Sequence, residues 1–149
     1  MCNQKEFDFV VYGATGFTGK LVIEYLVSKY KENTDFSWAI AGRSLEKLNS
    51  VKESIGVPDH IPLIEVDSNN TSSIESLVSR TKCVMTTVGP YQLYGNNIVA
   101  ACVSSGTDYV DLCGEPGWMH EKIHEHTEEA KRTGARIVFS CGFDSIPFD

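Results

Sequence analysis

A chain of 149 residues, 42% hydrophobic and 22% charged, has room for one ordinary globular domain and hardly for a second. Its formal net charge of -7, with no cluster of Lys and Arg, excludes a generic affinity for nucleic acid, whose phosphates are bound mainly through such clusters. No apolar run approaches the roughly 20 residues that a membrane-spanning helix needs.

The first residues run from a charged opening straight into a strand-like segment, without the apolar core and cleavage site of a secretory signal. The five cysteines, Cys2, Cys83, Cys102, Cys113 and Cys141, are odd in number and form no C-x-x-C pair. Four of them lie in or beside apolar runs, where a free cysteine behaves as a small hydrophobe. A reducing, intracellular setting is expected, and with it no glycosylation of the Asn70-Thr71-Ser72 sequon.

The first predicted strand, Phe7 to Tyr12, leads directly into Gly13, Gly16 and Gly19 and then into a helix starting near Gly16. In that helix Phe17, Leu21 and Tyr25 recur at four-residue spacing, and Val22 and Leu26 widen what the periodicity predicts to be the buried face. Asn33-Thr34-Asp35 is expected to end it. The second strand, Ser37 to Ala41, precedes a helix from Ser44 that carries Leu45, Leu48 and Val51 or Lys52 and stops at Gly56-Val57-Pro58.

A third strand covers Pro62 to Val66, and the next helix opens on Ser72-Ser73-Ile74-Glu75, the spacing of a reciprocal capping box. A fourth strand, Cys83 to Val88, is followed by a helix from about Asn97 to Ser105, with Gly106 placed to finish it. Tyr109 to Leu112 forms the fifth strand. Pro116-Gly117 opens the last helix, Gly134 closes it, and Arg136 to Ser140 is the sixth strand. Six strands alternating with helices predict one α/β domain, a Rossmann-like doubly wound parallel sheet covered on both faces.

Gly13-Ala14-Thr15-Gly16-Phe17-Thr18-Gly19 is the candidate ligand loop. After a strand and before a helix, Gly13 can make a tight turn, Gly16 can let the backbone approach a pyrophosphate, and Gly19 can let the helix pack on the strand. A triphosphate loop would need glycine where Ala14 stands and a hydroxyl where Leu21 stands, so Lys20 does not mark one. The pattern predicts a dinucleotide.

NAD-binding sheets place an acid at the end of the second strand. Here Ala41-Gly42-Arg43-Ser44 holds that place, with no acid between Asp35 and Glu46. Arg43 with Ser44 suits the 2′-phosphate of NADP, because a guanidinium makes paired bonds to phosphate, and NAD is less favoured. Asp67, after the third strand, can touch the adenine amino group or cap the next helix.

Ligands in such sheets lie beyond the carboxyl ends of the strands, which selects Val88, Gly89, Pro90 and Tyr91. Gly89-Pro90 would let backbone pass close to a nicotinamide, while Tyr91 can order it, face substrate or simply pack. Glu115 and Asp144 are proton-transfer candidates or else caps and ion-pair partners. The Tyr25 to Lys29 spacing of a short-chain dehydrogenase pair falls too early in the chain to serve. His120, His124 and His126 belong to an acid-rich, solvated helix face rather than to a metal site.

Together "VVYGATGFTGKLV", "WAIAGRSLEKL", "VGPYQLYG", "YVDLCGEP" and "GFDSIPFD" resemble the saccharopine dehydrogenase-like oxidoreductases, over nearly the whole chain. The resemblance implies a Rossmann domain contacting NADP through Gly13 to Gly19, Arg43 with Ser44, and Gly89 to Tyr91. It also implies an oxidoreductase related to saccharopine reductases of lysine metabolism or to enoyl reductases of lipid synthesis. Membrane, mitochondrial or lipid-droplet association and a homodimer are further implications of the family.

Members of that family continue past the Gly-Phe-Asp-Ser-Ile-Pro motif into a substrate and dimerisation domain. Most contacts to a small-molecule substrate are therefore expected outside this sequence, which by itself is expected to be inactive, and no catalytic acid or base stands out in it. A non-catalytic NADP-sensing or scaffold domain, and a fold kept only for interaction, are the competing readings. Ile146, Pro147 and Phe148 are expected to be exposed and to favour self-association.

Overall fold

The computed structural model describes residues 5–31, 35–143 and 145–148. In chain order the elements are β1 Phe7–Tyr12, α1 Phe17–Tyr30, β2 Trp38–Gly42, α2 Leu45–Ile55, β3 Leu63–Glu65, α3 Thr71–Arg80 and β4 Thr81–Thr86. Then come a short α4 Tyr91–Tyr94, α5 Asn96–Ser105, β5 Asp108–Asp111, α6 Pro116–Thr133, β6 Ile137–Val138 and a 3-10 turn at Ile146–Phe148. The strands form one parallel sheet of order β3-β2-β1-β4-β5-β6.

That order winds outward in both directions from β1 and β4, so a crevice opens between their carboxyl ends. The predicted doubly wound sheet is present, with strand limits shifted by one or two residues and α4 added. The boundary of α1 expected at Asn33-Thr34-Asp35 falls partly outside the described residues; the helix itself runs to Tyr30, with Lys31 as its C-cap.

Two apolar clusters sandwich the sheet. Val11 and Ile40 pack with Ile23, Leu26 and Leu48 on one face, while Val84, Tyr109, Leu77 and Val99 share a cluster on the other. β2 is buried along its whole length, as a strand covered on both faces should be. β5 instead alternates half-buried and buried positions, and Val138 on β6 is 49% exposed, so cover is less complete toward that edge.

Helix ends follow local chemistry. Ser44 caps α2 by accepting from the Lys47 amide, and Gly56 ends it at φ +73°. Gly106 and Gly134 close α5 and α6 in the same left-handed conformation, as expected. α3 departs from the Ser72–Glu75 capping box: its cap is Asn70, which accepts from the Ser73 amide, while the Ser73 hydroxyl donates to the Asn70 and Asp67 carbonyls. Asparagine reaches the first-turn amides one position before the helix, so the serines fall inside it.

The face of α1 is also corrected. Phe17, Leu21 and Tyr25 are 83%, 49% and 56% exposed, whereas Gly19, Ile23 and Leu26 are buried. A Cβ on Gly19 would stand 2.2 Å from the Gly13 carbonyl oxygen. Only a residue without a side chain can occupy that contact, so Gly19 fixes the rotation of the helix and Ile23 and Leu26 follow it inward. The aromatic stripe is thereby turned to solvent.

No helix among the described residues is long and apolar enough to cross a membrane. Ile146 is 65% exposed and Pro147 is exposed as expected, while the side chain of Phe148 lies outside what is described.

Candidate functional site

The cleft at the β1/β4 crevice is walled by Tyr12, Gly13, Thr15 and Gly16 from the first strand and its loop, Gly42 and Arg43 from the end of β2, and Ser68 after β3. Thr87, Val88, Gly89 and Tyr94 close its other side. The strand ends are tied together beneath it. The Gly13 and Ala14 amides donate to the Ala41 carbonyl, and the Thr87 amide donates to the Tyr12 carbonyl. The Thr87 hydroxyl donates to the Gly13 carbonyl at 3.2 Å.

Gly13 adopts φ +94°, and a Cβ there would lie 2.7 Å from the Thr87 hydroxyl and 2.8 Å from Val88. The turn can exist only with glycine at that place. α1 starts on Gly16 with no side-chain cap and no acid in its first turn. Its first helical bond runs from the Lys20 amide to the Gly16 carbonyl, while the Gly16 amide donates to the Gly13 carbonyl, so the amides left without a helical acceptor are those of the first turn, Phe17 to Gly19. A helix start of this kind favours an anionic phosphate.

Tyr12 forms the floor. The residue is 1% exposed, and its hydroxyl has no hydrogen-bond partner among the described residues, with Ser68 as its polar neighbour. Burial pushes this phenol up to about 12, so at neutral pH it remains a donor. A buried hydroxyl without a partner costs about 1–3 kcal/mol, an expense that a ligand group or water reaching the floor would remove.

The residues selected from sequence separate into three groups. Gly13, Thr15, Gly16, Arg43, Val88 and Gly89 line the cleft. Ala14 and Gly19 are buried packing positions behind the loop, Phe17 and Thr18 are exposed at the start of α1, and Ser44 is committed to capping α2. Asp67 is exposed and accepts from the Asn69 amide in a local turn, so it is not the cap of α3. Pro90 is exposed at the turn before α4.

Tyr91 is a packed residue. It is 5% exposed, its ring lies 5.6 Å from that of Trp118, and its hydroxyl donates to the Thr86 carbonyl. Its side chain therefore braces the end of β4 from behind and does not line the cleft. Tyr12, Gly42, Ser68, Thr87 and Tyr94 were not singled out from sequence. The inward pleat position of Tyr12 directly before Gly13 is the one available signal; Ser68 reaches the cleft from a loop and Tyr94 from the last position of the short α4, and no periodicity reports either.

Glu115 is a clamp: its carboxylate accepts from the Tyr91 amide at 2.6 Å and the Gln92 amide at 2.9 Å. Asp144 lies outside the described residues. Behind Glu115, the buried Asp111 accepts from the Tyr109 hydroxyl at 2.7 Å, the Cys113 amide at 3.0 Å and the Ser140 amide at 2.8 Å. Ser140 is thereby held at φ +60°, and its hydroxyl donates to the Cys113 carbonyl. Burial pushes the Cys113 thiol up to about 11, which keeps it protonated and without nucleophilic character at neutral pH.

Three or more His, Cys, Asp or Glu side chains never gather into a metal-binding group among the described residues. His120 and His124 meet ring to ring on the outside of α6, and Tyr25 stands on the exposed side of α1.

Residues 9–138 match the family described as the saccharopine dehydrogenase NADP binding domain. The chain belongs to that family. Its cofactor is accordingly NADP(H), and the cleft fits it: a glycine cradle that a Cβ would fill, a helix start free for phosphate, a cation at the end of β2 and an unpaired donor in the floor.

Similarities that run along almost all of this chain agree with the family assignment. The chain is 47% identical over 148 residues to a trans-acting enoyl reductase of Mycobacterium leprae, covering 99% of this chain and 35% of that protein. It is 45% identical over 148 residues to a trans-acting enoyl reductase of Mycobacterium tuberculosis, covering 98% and 34%. The chain thus spans about a third of the length of the curated relatives it matches.

Among solved structures, saccharopine dehydrogenase (L-Glu forming) from Saccharomyces cerevisiae superposes with a TM-score of 0.72 at 19% identity, covering 93% of this chain and 28% of that one. Triphenylmethane reductase from Citrobacter sp., complexed with NADP(H), gives 0.62 at 19% identity, covering 89% and 48%. At such identities the likeness is one of fold.

Proposed function

We propose that this domain holds NADPH across the β1/β4 cleft as the cofactor-binding part of a reductase that acts on an activated carbon–carbon double bond of a lipid-type substrate. The observation that carries the cofactor half of this reading is Arg43. It stands on the rim of the glycine-lined cleft, at the strand end where an acid would engage an unphosphorylated ribose. The names of the curated relatives support the substrate half, and they favour an enoyl group over the imine of saccharopine.

When bound, NADPH supplies a hydride from its nicotinamide. The chain's own residues bind, orient and shelter it. Arg43 pairs with the 2′-phosphate, the Gly13 to Gly16 backbone and the first turn of α1 take the pyrophosphate, and Tyr12 donates on the adenosine side. Val88 and Gly89 wall the opposite half. Contacts to the lipid-type substrate are assigned to the part of the relatives that this chain does not span.

Arg43→Asp should weaken NADPH binding roughly a hundredfold, since it removes a charge-assisted pair and adds a repulsion, while NADH binding changes little. Calorimetric titration of both cofactors checks this, and equal loss of the two would refute the role of Arg43. NADPH should also raise the melting temperature more than NADH or ATP, because a ligand that binds only the folded chain stabilises it.

A further inference from the structure

The wall of the cleft beyond β4 is a turn, Val88 to Pro90, in which half-buried Val88 packs against the core while Gly89 and Pro90 are exposed. Two grips hold it. At its start the Val88 amide donates to the Thr86 hydroxyl at 3.2 Å. At its end the Tyr91 and Gln92 amides both donate to the carboxylate of Glu115, which comes from the end of β5, 24 residues further along the chain.

We propose that Glu115 is a positioning residue that sets the nicotinamide-side wall of the cleft by clamping the turn after β4 to the loop after β5. This rests on the NADPH reading given above. In a doubly wound sheet the dinucleotide crosses the switch point, with its adenosine half over β1 to β3 and its other half over β4 and β5. The clamp therefore touches the second half only.

The chemistry favours a carboxylate in that position. Each amide meets its own oxygen, Tyr91 at Oε1 and Gln92 at Oε2, and a carboxylate offers both acceptors with charge-assisted strength. The Glu115 loop is itself fastened, because the Glu115 amide donates to the Cys113 sulfur and the Cys113 amide donates to Asp111. A fixed carboxylate transmits that order to Val88 and Gly89, which line the cleft. Removing it leaves two amides seeking water and frees the turn.

The test compares NADPH with 2′,5′-ADP, which keeps the adenosine half and its 2′-phosphate and lacks the nicotinamide. Glu115→Ala should weaken NADPH binding about tenfold and leave 2′,5′-ADP within about twofold. Glu115→Gln should fall between, since its amide keeps one acceptor and turns a donor toward the second amide. Melting curves without ligand show whether each variant folds; if the alanine variant does not, the glutamine variant decides by the same ratio. Equal weakening of both ligands, or no weakening of NADPH, overturns the assignment. If the unsubstituted chain binds neither ligand, the NADPH reading fails and this inference with it; if it binds both, the variants judge Glu115 alone.

Discussion

The two halves of the cleft are built by different means. Over β1 to β3 the walls are made by backbone, with Gly13 and Gly19 admitting contacts that any side chain would fill, so the shape is set by missing atoms. Over β4 and β5 the segments around the cleft are held from behind by side-chain carboxylates, Glu115 and Asp111, which accept backbone amides from α4 and from the segments after β5 and β6. The first half is held by close-packed backbone, and the second by paired polar groups. Steric design should fail abruptly on substitution, whereas a polar clamp should fail by degrees.

The largest effect is expected at Gly19. In Gly19→Ala the new Cβ meets the Gly13 carbonyl, backbone against backbone, and α1 must lift off β1 at a cost of about 3 kcal/mol. Urea unfolding would read this as a lower midpoint, and an unchanged midpoint would mean that the helix does not dock through its glycine.

Asp111→Ala comes next, at about 2 kcal/mol, because it leaves buried donors from Tyr109, Cys113 and Ser140 without an acceptor. Asp111→Asn should recover most of the loss: its oxygen can still accept the two amides, and its NH2 can donate to the Tyr109 hydroxyl. Graded loss from Asn to Ala in the same unfolding experiment is the signature of a polar clamp. A full loss with asparagine would show that the charge itself is required.

The smallest effect is expected at Gly56, outside both halves. A Cβ there meets nothing within 4 Å, but φ is +73°, so Gly56→Ala should cost about 1 kcal/mol for the left-handed backbone alone. A cost equal to that of Gly19→Ala would break the distinction between conformational and steric glycines.

Much of the fold was legible because its signals are local. Strand-length apolar runs, Gly56, Gly106 and Gly134 at helix ends, and Pro116 at the start of α6 each act within a few residues. The face of α1 is not legible from periodicity, for a physical reason. Its longest apolar stripe, Phe17, Leu21 and Tyr25, competed with a glycine whose small size carries no hydropathy signal, and the glycine prevailed. In the cap of α3, several neighbouring serines and asparagines could each serve, and in the fold it is Asn70 that takes the extended cap conformation and accepts from the Ser73 amide.

The sequence by itself determined the order of strands and helices, the family, the glycine turn and the cation at the end of β2, since each depends on a residue type at a fixed place along one segment. Tertiary structure alone decided which way α1 faces, that Tyr12 lies under the cleft with an unpaired hydroxyl, that Tyr91 packs against Trp118, and that Glu115 holds the turn after β4. These are meetings between groups far apart in sequence. They arise from the juxtaposition of parallel strand ends, and that is fixed only when the whole sheet has closed around its two cores.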